Sequence, residues 1–184
     1  MNPYSIIDKY YSASGMEQLR EELIIHSELV RDKAIECARR YEAKTGQSLD
    51  IDFISEAAML HDIGIFRCNA PGIHCHGTEP YIRHGLEGGA ILRAENLPKH
   101  ALVCERHTGS GLTAEEIRHQ NLPLPAVDML PLSPEEKAIC YADKFFSKSG
   151  DIRREKTLEE VERSMAHFGP DSLARFKALH SLFE

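Results

Sequence analysis

The residues of this chain best equipped for chemistry stand at Ala57-Ala58-Met59-Leu60-His61-Asp62-Ile63-Gly64, where an apolar helix end delivers a histidine beside an aspartate and stops at a glycine. Neutral imidazole and carboxylate are ligands for divalent metals. One such dipeptide arises by chance in many chains, so its meaning depends on what other helices send to meet it. His26 lies on the apolar stripe of an earlier helix, four residues before Val30. Asp143 shares a helix face with Ile139, Cys140 and Phe146. His26, His61, Asp62 and Asp143 thus point inward from three helices. Buried unpaired they would be costly, so they must satisfy one another or a cation. His84 and His107 each stand at a helix end facing a loop, placed to hold a second ion. Asp62 then bridges the two groups. A pair of ions with a bridging oxygen would position a hydroxide nucleophile and neutralise the charge that develops on a phosphate.

The elements that position these residues read as helix almost throughout. A short N-terminal piece, 5–11, precedes a long pattern from Met16 that closes at Gly46, a C-cap by type. Asp50 is a fitting N-cap for a helix through Asp62. Residues 65–81, with Pro71, Gly72, Gly77 and Pro80, read as a loop bordering a pocket. A helix from His84 carries Gly88-Gly89-Ala90, small residues that let two backbones approach. Pro98 opens the next helix, ending at His107. Thr113-Ala114-Glu115-Glu116 and Ser133-Pro134-Glu135-Glu136 read as capping boxes, the second starting a helix that runs to about Ser147. Two amphipathic helices, 158–168 and 171–183, finish the chain, to pack on the core or to pair with a second copy as a homodimer. The expected fold is all-α, with no strand alternation: a single domain over 1–184, its core about 16–148 and a C-terminal helical extension about 158–184.

Composition narrows the function. The 184 residues are 42% hydrophobic and 28% charged, enough for a sizeable core. A net charge of −7 supplies no basic footprint for nucleic acid or an anionic membrane. The start of the chain has no signal-peptide pattern, and no stretch has the apolar length of a membrane span. Five irregularly spaced cysteines fit a reducing compartment, so the expected location is the cytoplasm.

With these residues in view, His26, His61-Asp62-Ile63-Gly64 and Asp143 within Tyr141-Ala142-Asp143-Lys144 resemble the HD-domain metal-dependent phosphohydrolase superfamily in its HDIG branch. The likeness extends through Arg83-His84-Gly85, Glu87-Gly88, Ile91-Leu92, Glu105-Arg106-His107, Gly109, Gly111-Leu112-Thr113 and Glu135-Glu136-Lys137, as in small, mostly uncharacterised HDIG proteins of bacteria and archaea. It covers His26 to about Ser147. The resemblance implies an all-α helical bundle with a metal on His26, His61, Asp62 and Asp143, and a second on His84 and His107. Bacterial diadenosine tetraphosphate hydrolases are similar in size and ligand order. Two departures matter. Many two-metal relatives read HDIGK, where this chain has Ile65, and the Gly-Tyr-Pro signature of cyclic-dinucleotide phosphodiesterases is absent from Thr108-Gly109-Ser110-Gly111.

The expectation is therefore a metal-dependent phosphohydrolase acting on a nucleotide or another small phosphorylated metabolite by attack of metal-bound hydroxide. Asp62, His84 and His107 are its catalytic residues, and one or two divalent transition metal ions (Fe, Mn, Zn, Ni or Co) its cofactors, because histidine-rich sets disfavour magnesium. Arg83, Arg106 and Lys144 flank the ligands and are expected to clamp phosphate, whereas Lys148 reads as an ordinary surface charge. His74, Cys75, His76 and Cys68 are too irregularly spaced for a zinc knuckle, and one of the histidines is a candidate substrate contact. Cys37, Cys104 and Cys140 read as inert core, and Arg118 and His119 as solvent-facing. Two alternatives share the ligand pattern: a di-iron oxygenase, and a non-catalytic metal-stabilised nucleotide-binding domain.

Overall fold

The computed structural model describes residues 1–184 and contains nine α-helices: α1 (Pro3–Tyr10), α2 (Glu17–Thr45), α3 (Ile51–Leu60), α4 (His84–Ala94), α5 (Pro98–Arg106), α6 (Ala114–His119), α7 (Pro134–Asp143), α8 (Leu158–His167) and α9 (Pro170–Phe183). The fold is mainly α. The helix boundaries follow local chemistry. Gly46 terminates α2 in the left-handed conformation at φ 73°. The Asp50 carboxylate accepts the Phe53 N–H at 2.9 Å to start α3. Thr113 and Glu116 close a reciprocal capping box on α6, and Thr157 and Glu160 close another on α8. Ser133 caps α7, but Glu136 turns its carboxylate to the Leu132 N–H and to Arg106, so the expected box is only half formed.

Three expectations need correction. Residues 65–81 are not loop alone: β1 (Cys68–Ala70), β2 (Cys75–His76) and β3 (Glu79–Pro80) form a small sheet in the order β2-β1-β3, antiparallel on one side and parallel on the other. Strands of two or three residues are too short to show a period. The α7 helix ends at Asp143, not Ser147, and an irregular segment follows it. The α3 helix ends at Leu60, not Asp62, and a turn carries His61 and Asp62 to Gly64, whose φ is −85°.

Two hydrophobic clusters hold the helices. One joins α2, α3 and α7 to the C-terminal pair through Val30, Ala34, Ile54, Tyr141, Val161, Phe176 and Phe183. Tyr141 stacks on Phe176 at 5.5 Å between centroids. The C-terminal helices therefore pack on the core, each fully buried aromatic there contributing roughly 1.5–3 kcal/mol. The other cluster joins α1, the start of α2, the end of α3, α4 and α5 through Ile7, Leu23, Leu60, Ile63, Leu92 and Cys104. No helix is long and apolar enough to cross a membrane.

Candidate metal centre

Asp62 sits where the two clusters meet, and glycines set the distances around it. A Cβ built on Gly64 would lie 2.3 Å from the Gly88 nitrogen and 2.4 Å from the His84 carbonyl oxygen. One on Gly85 would lie 2.3 Å from the Cys104 carbonyl oxygen. These positions tolerate no side chain because backbone faces backbone. Gly64 thereby presses the His61-Asp62 turn onto α4, and Gly85 presses α4 onto α5, which carries His107 at its C-terminal end. The backbone approach expected of the small residues in α4 is present, and it builds the site.

His26, His61, Asp62, His84, His107 and Asp143 are all buried. They form two groups able to hold a metal ion: His26, His61, Asp62 and Asp143 in one, and Asp62, His84 and His107 in the other. The two oxygens of Asp62 divide between them. Oδ2 lies 3.0 Å from His61 Nε2 and 3.3 Å from His26 Nε2. Oδ1 lies 3.4 Å from His107 Nε2 and 3.5 Å from His84 Nε2. Asp143 Oδ1 completes the first group, 3.1 Å from His26 Nε2 and 3.4 Å from His61 Nε2.

Three of the four imidazoles are oriented by the helix ends that carry them. His61, His84 and His107 each turn Nδ1 to the carbonyl three residues earlier, donating to Ala58 at 2.7 Å, Tyr81 at 2.7 Å and Cys104 at 2.8 Å. The carbonyls of Ala58 and Cys104, in the last turns of α3 and α5, lack an intrahelical partner that the ring N–H supplies. Tyr81, in the turn before α4, instead accepts both the backbone and the ring N–H of His84. This arrangement aims Nε2 at Asp62, the outer-shell pattern of metal-bound histidine. His26 lies within α2, where the carbonyls are already used, and its Nδ1 has no partner.

The donor set fits a divalent cation. His61 Nε2 and both Asp62 oxygens are buried without a hydrogen-bond partner, an expense that a metal would remove. His84 and His107 turn their Nε2 atoms toward each other at 3.1 Å. Burial pushes His84 down to about 3 and also lowers His107, which favours the neutral form of each ring with a lone pair for a cation. Burial works against charge on His61 as well, but the Asp62 and Asp143 carboxylates outweigh it and raise the ring to about 9. Asp62 is held well below the usual carboxylate range despite burial, by His61 and Lys148; Asp143 is held there by Lys144 and Lys148.

The centre opens through His84, His107 and Asp143 into a cleft of about 730 Å³. Its far wall comes from the C-terminal helices, with Met165, Phe168, Ser172 and Arg175 lining it. Of the expected phosphate clamps, only Lys144 lines the cleft. Its Nζ lies 2.6 Å from Asp143 Oδ2 and donates to the His107 carbonyl at 3.0 Å, holding one ligand and the strand of chain behind another. Arg83 pairs with Glu79 and Glu87 and donates to the Pro123 carbonyl. Arg106 pairs with Glu136 through both carboxylate oxygens. Neither arginine is among the lining residues. Lys148 corrects the reading of it as a surface charge: its Nζ lies 2.5 Å from Asp62 Oδ2. The turn after Asp143 folds the chain back, which helical periodicity could not reveal. Tyr81, also missed, lines the cleft and stacks on His84 at 4.7 Å between centroids. Cys68 and Cys75 are buried apart from either ligand group, and His74 contacts Gln18 and Glu22 instead of the centre. Ile65 is 2% exposed within the second cluster, so that position faces the core.

Fold and site together define a helical protein with a buried histidine–aspartate centre. The HD domain model matches residues 23–147, and the chain belongs to the HD-domain family. It is 32% identical over 151 residues to an uncharacterised protein of Methanocaldococcus jannaschii, covering 82% of this chain and 81% of that one. It is 33% identical over 132 residues to a tRNA (cytidine(56)-2'-O)-methyltransferase of Picrophilus torridus, covering 71% of this chain and 34% of that one. A protein of the same name from Thermoplasma volcanium is 30% identical over 159 residues, covering 86% of this chain and 40% of its own length. The chain therefore spans well under half of either methyltransferase. No solved structure matches it.

Proposed function

We propose that this chain is a metal-dependent phosphohydrolase acting on a nucleotide or another small phosphorylated metabolite, with two divalent transition metal ions sharing Asp62. The observation that carries the reading is the division of the Asp62 oxygens between two histidine pairs, with His84 Nε2 and His107 Nε2 3.1 Å apart. His26, His61, Asp62 and Asp143 would hold one ion, and Asp62, His84 and His107 the other. Bound there, the ions would supply an activated water as nucleophile and positive charge for the phosphoryl oxygens.

The chain's own residues do the rest. Asp62 fixes the spacing of the two groups, because one short carboxylate serves both. The carbonyls of Ala58, Tyr81 and Cys104 hold three rings in the tautomer that leaves Nε2 free. Lys144 fixes Asp143 and the His107 carbonyl. The deep position of His26, His61 and Asp62 shields that end from solvent, while the cleft admits the substrate past His84 and His107. The methyl transfer in the names of two relatives is not carried over: the chain spans 34% and 40% of them, and its centre is a set of metal-type ligands.

The test is a screen of nucleotides and phosphoesters against the purified chain loaded in turn with manganese, iron, nickel, cobalt and zinc. Release of phosphate that disappears in Asp62→Ala supports the reading. Oxygen consumption by an iron-loaded centre without hydrolysis would replace it with oxygenase chemistry. A nucleotide bound tightly and returned unchanged under every metal would replace it with a binding role.

A further inference from the structure

The cleft has a charge pattern of its own. Four cations line it, Lys144, Lys148, Lys156 and Arg175, against two carboxylates, Glu116 and Asp143, in a chain of net charge −7. Two of the four cations are spent within the protein. Arg175 lies against the Glu116 carboxylate and the Gly111 carbonyl, and Lys144 against Asp143 and the His107 carbonyl.

The other two are held differently. Lys148 Nζ lies 2.5 Å from Asp62 Oδ2 and 3.9 Å from Asp143 Oδ1, yet neither Asp62 oxygen has a hydrogen-bond partner, so the ammonium sits there as a cation and not as an aligned donor. Both carboxylates belong to groups able to hold a metal. A divalent ion and an ammonium repel each other at one carboxylate oxygen, and Lys148 has no other acid within ion-pairing distance. Lys156 lines the same cleft and is half-buried with no carboxylate partner; its ammonium reaches only the Lys144 carbonyl, at 3.5 Å. Burial lowers its pKa, as expected of an ammonium lacking a counter-ion. Both lysines come from the irregular chain after α7, so neither depends on the turn in which Ile65 faces the core.

We propose that Lys148 and Lys156 form an anion subsite in the cleft beside the metal centre, which grips phosphoryl oxygens of the substrate, Lys148 exchanging Asp62 for that anion. The inference rests on the phosphohydrolase reading and names the residues that hold its substrate. Lysine suits the task as a mobile point charge with three donors.

The test titrates inorganic phosphate calorimetrically into the manganese-loaded full chain, with manganese content measured in parallel. Lys148→Met keeps its manganese and binds phosphate at least about tenfold more weakly; Lys156→Met, which breaks no ion pair, binds it about threefold more weakly. Phosphate affinity equal to wild type in both variants would overturn the subsite, as would loss of manganese from Lys148→Met, which would make that lysine a support of the centre instead. Should Lys148→Met not fold, unchanged phosphate binding in Lys156→Met alone overturns the paired site. Failure of the phosphohydrolase reading would look different: lysine-dependent phosphate binding by a wild-type protein that hydrolyses no phosphoester.

Discussion

The two halves of the ligand cluster are built on different principles. The His26–His61–Asp143 half is rich in charge: two carboxylates and an imidazole that they raise to about 9. It is backed by the larger hydrophobic cluster, to which the C-terminal helices add Phe176 and Phe183. The His84–His107 half has two imidazoles whose neutral form burial favours and only a shared carboxylate oxygen, and backbone contacts at glycine set its position. It also faces the cleft, whereas His26 and His61 lie behind it. The difference suggests a division of labour for the proposed metal centre: the anionic half would retain a cation, and the half at the cleft would present one to a ligand. Asp62 is the single group that both halves need.

That comparison is easiest to break at its shared member. Asp62→Ala is expected to empty both halves, with metal content falling to background by elemental analysis and phosphohydrolase activity falling with it. Replacement of one histidine should discriminate: His107→Ala loses one ion of two, and chelator titration of the wild type should remove the ion of the neutral half first, in two resolved steps. A single step with both ions leaving together would show that the halves are equivalent.

Stability should separate the halves too. Gly64→Ala places a methyl against the backbone of Gly88 and His84, and a cost toward the upper end of about 1–3 kcal/mol is expected in chemical denaturation. It should also disturb His84 more than His26. Ser110→Ala, which removes the hydroxyl donated to the Ser172 carbonyl at 2.8 Å, should cost about 1 kcal/mol. This loosens the cleft wall on α9 while leaving metal content unchanged. Loss of metal there would mean that the C-terminal pair supports the centre directly.

Helix ends and inward faces were legible in the sequence because both are local. Asp50, Thr113 and Ser133 mark starts through side-chain caps, and the 3.6-residue period places His26 and Asp143 on apolar faces. Features fixed by distant chain were not legible. Gly64 reads as a helix stop, but its role is set by Gly88, which lies in another helix. Arg106 sits next to a ligand in sequence and is claimed by Glu136, thirty residues on. Lys148 lies five residues past Asp143, and extending α7 by periodicity carries it away from the site, whereas the observed turn brings it back to Asp62. Tyr81 gave one usable signal, its position three residues before His84, the spacing at which a helix-end imidazole finds a carbonyl.

The most direct test of a centre shared through Asp62 is anomalous diffraction from crystals of the manganese-loaded chain. The account predicts two peaks, one among His26, His61 and Asp143 and one between His84 and His107, each within coordination distance of a different Asp62 oxygen. A single peak with His84 and His107 still facing each other unbridged, or manganese bound away from Asp62, would contradict it.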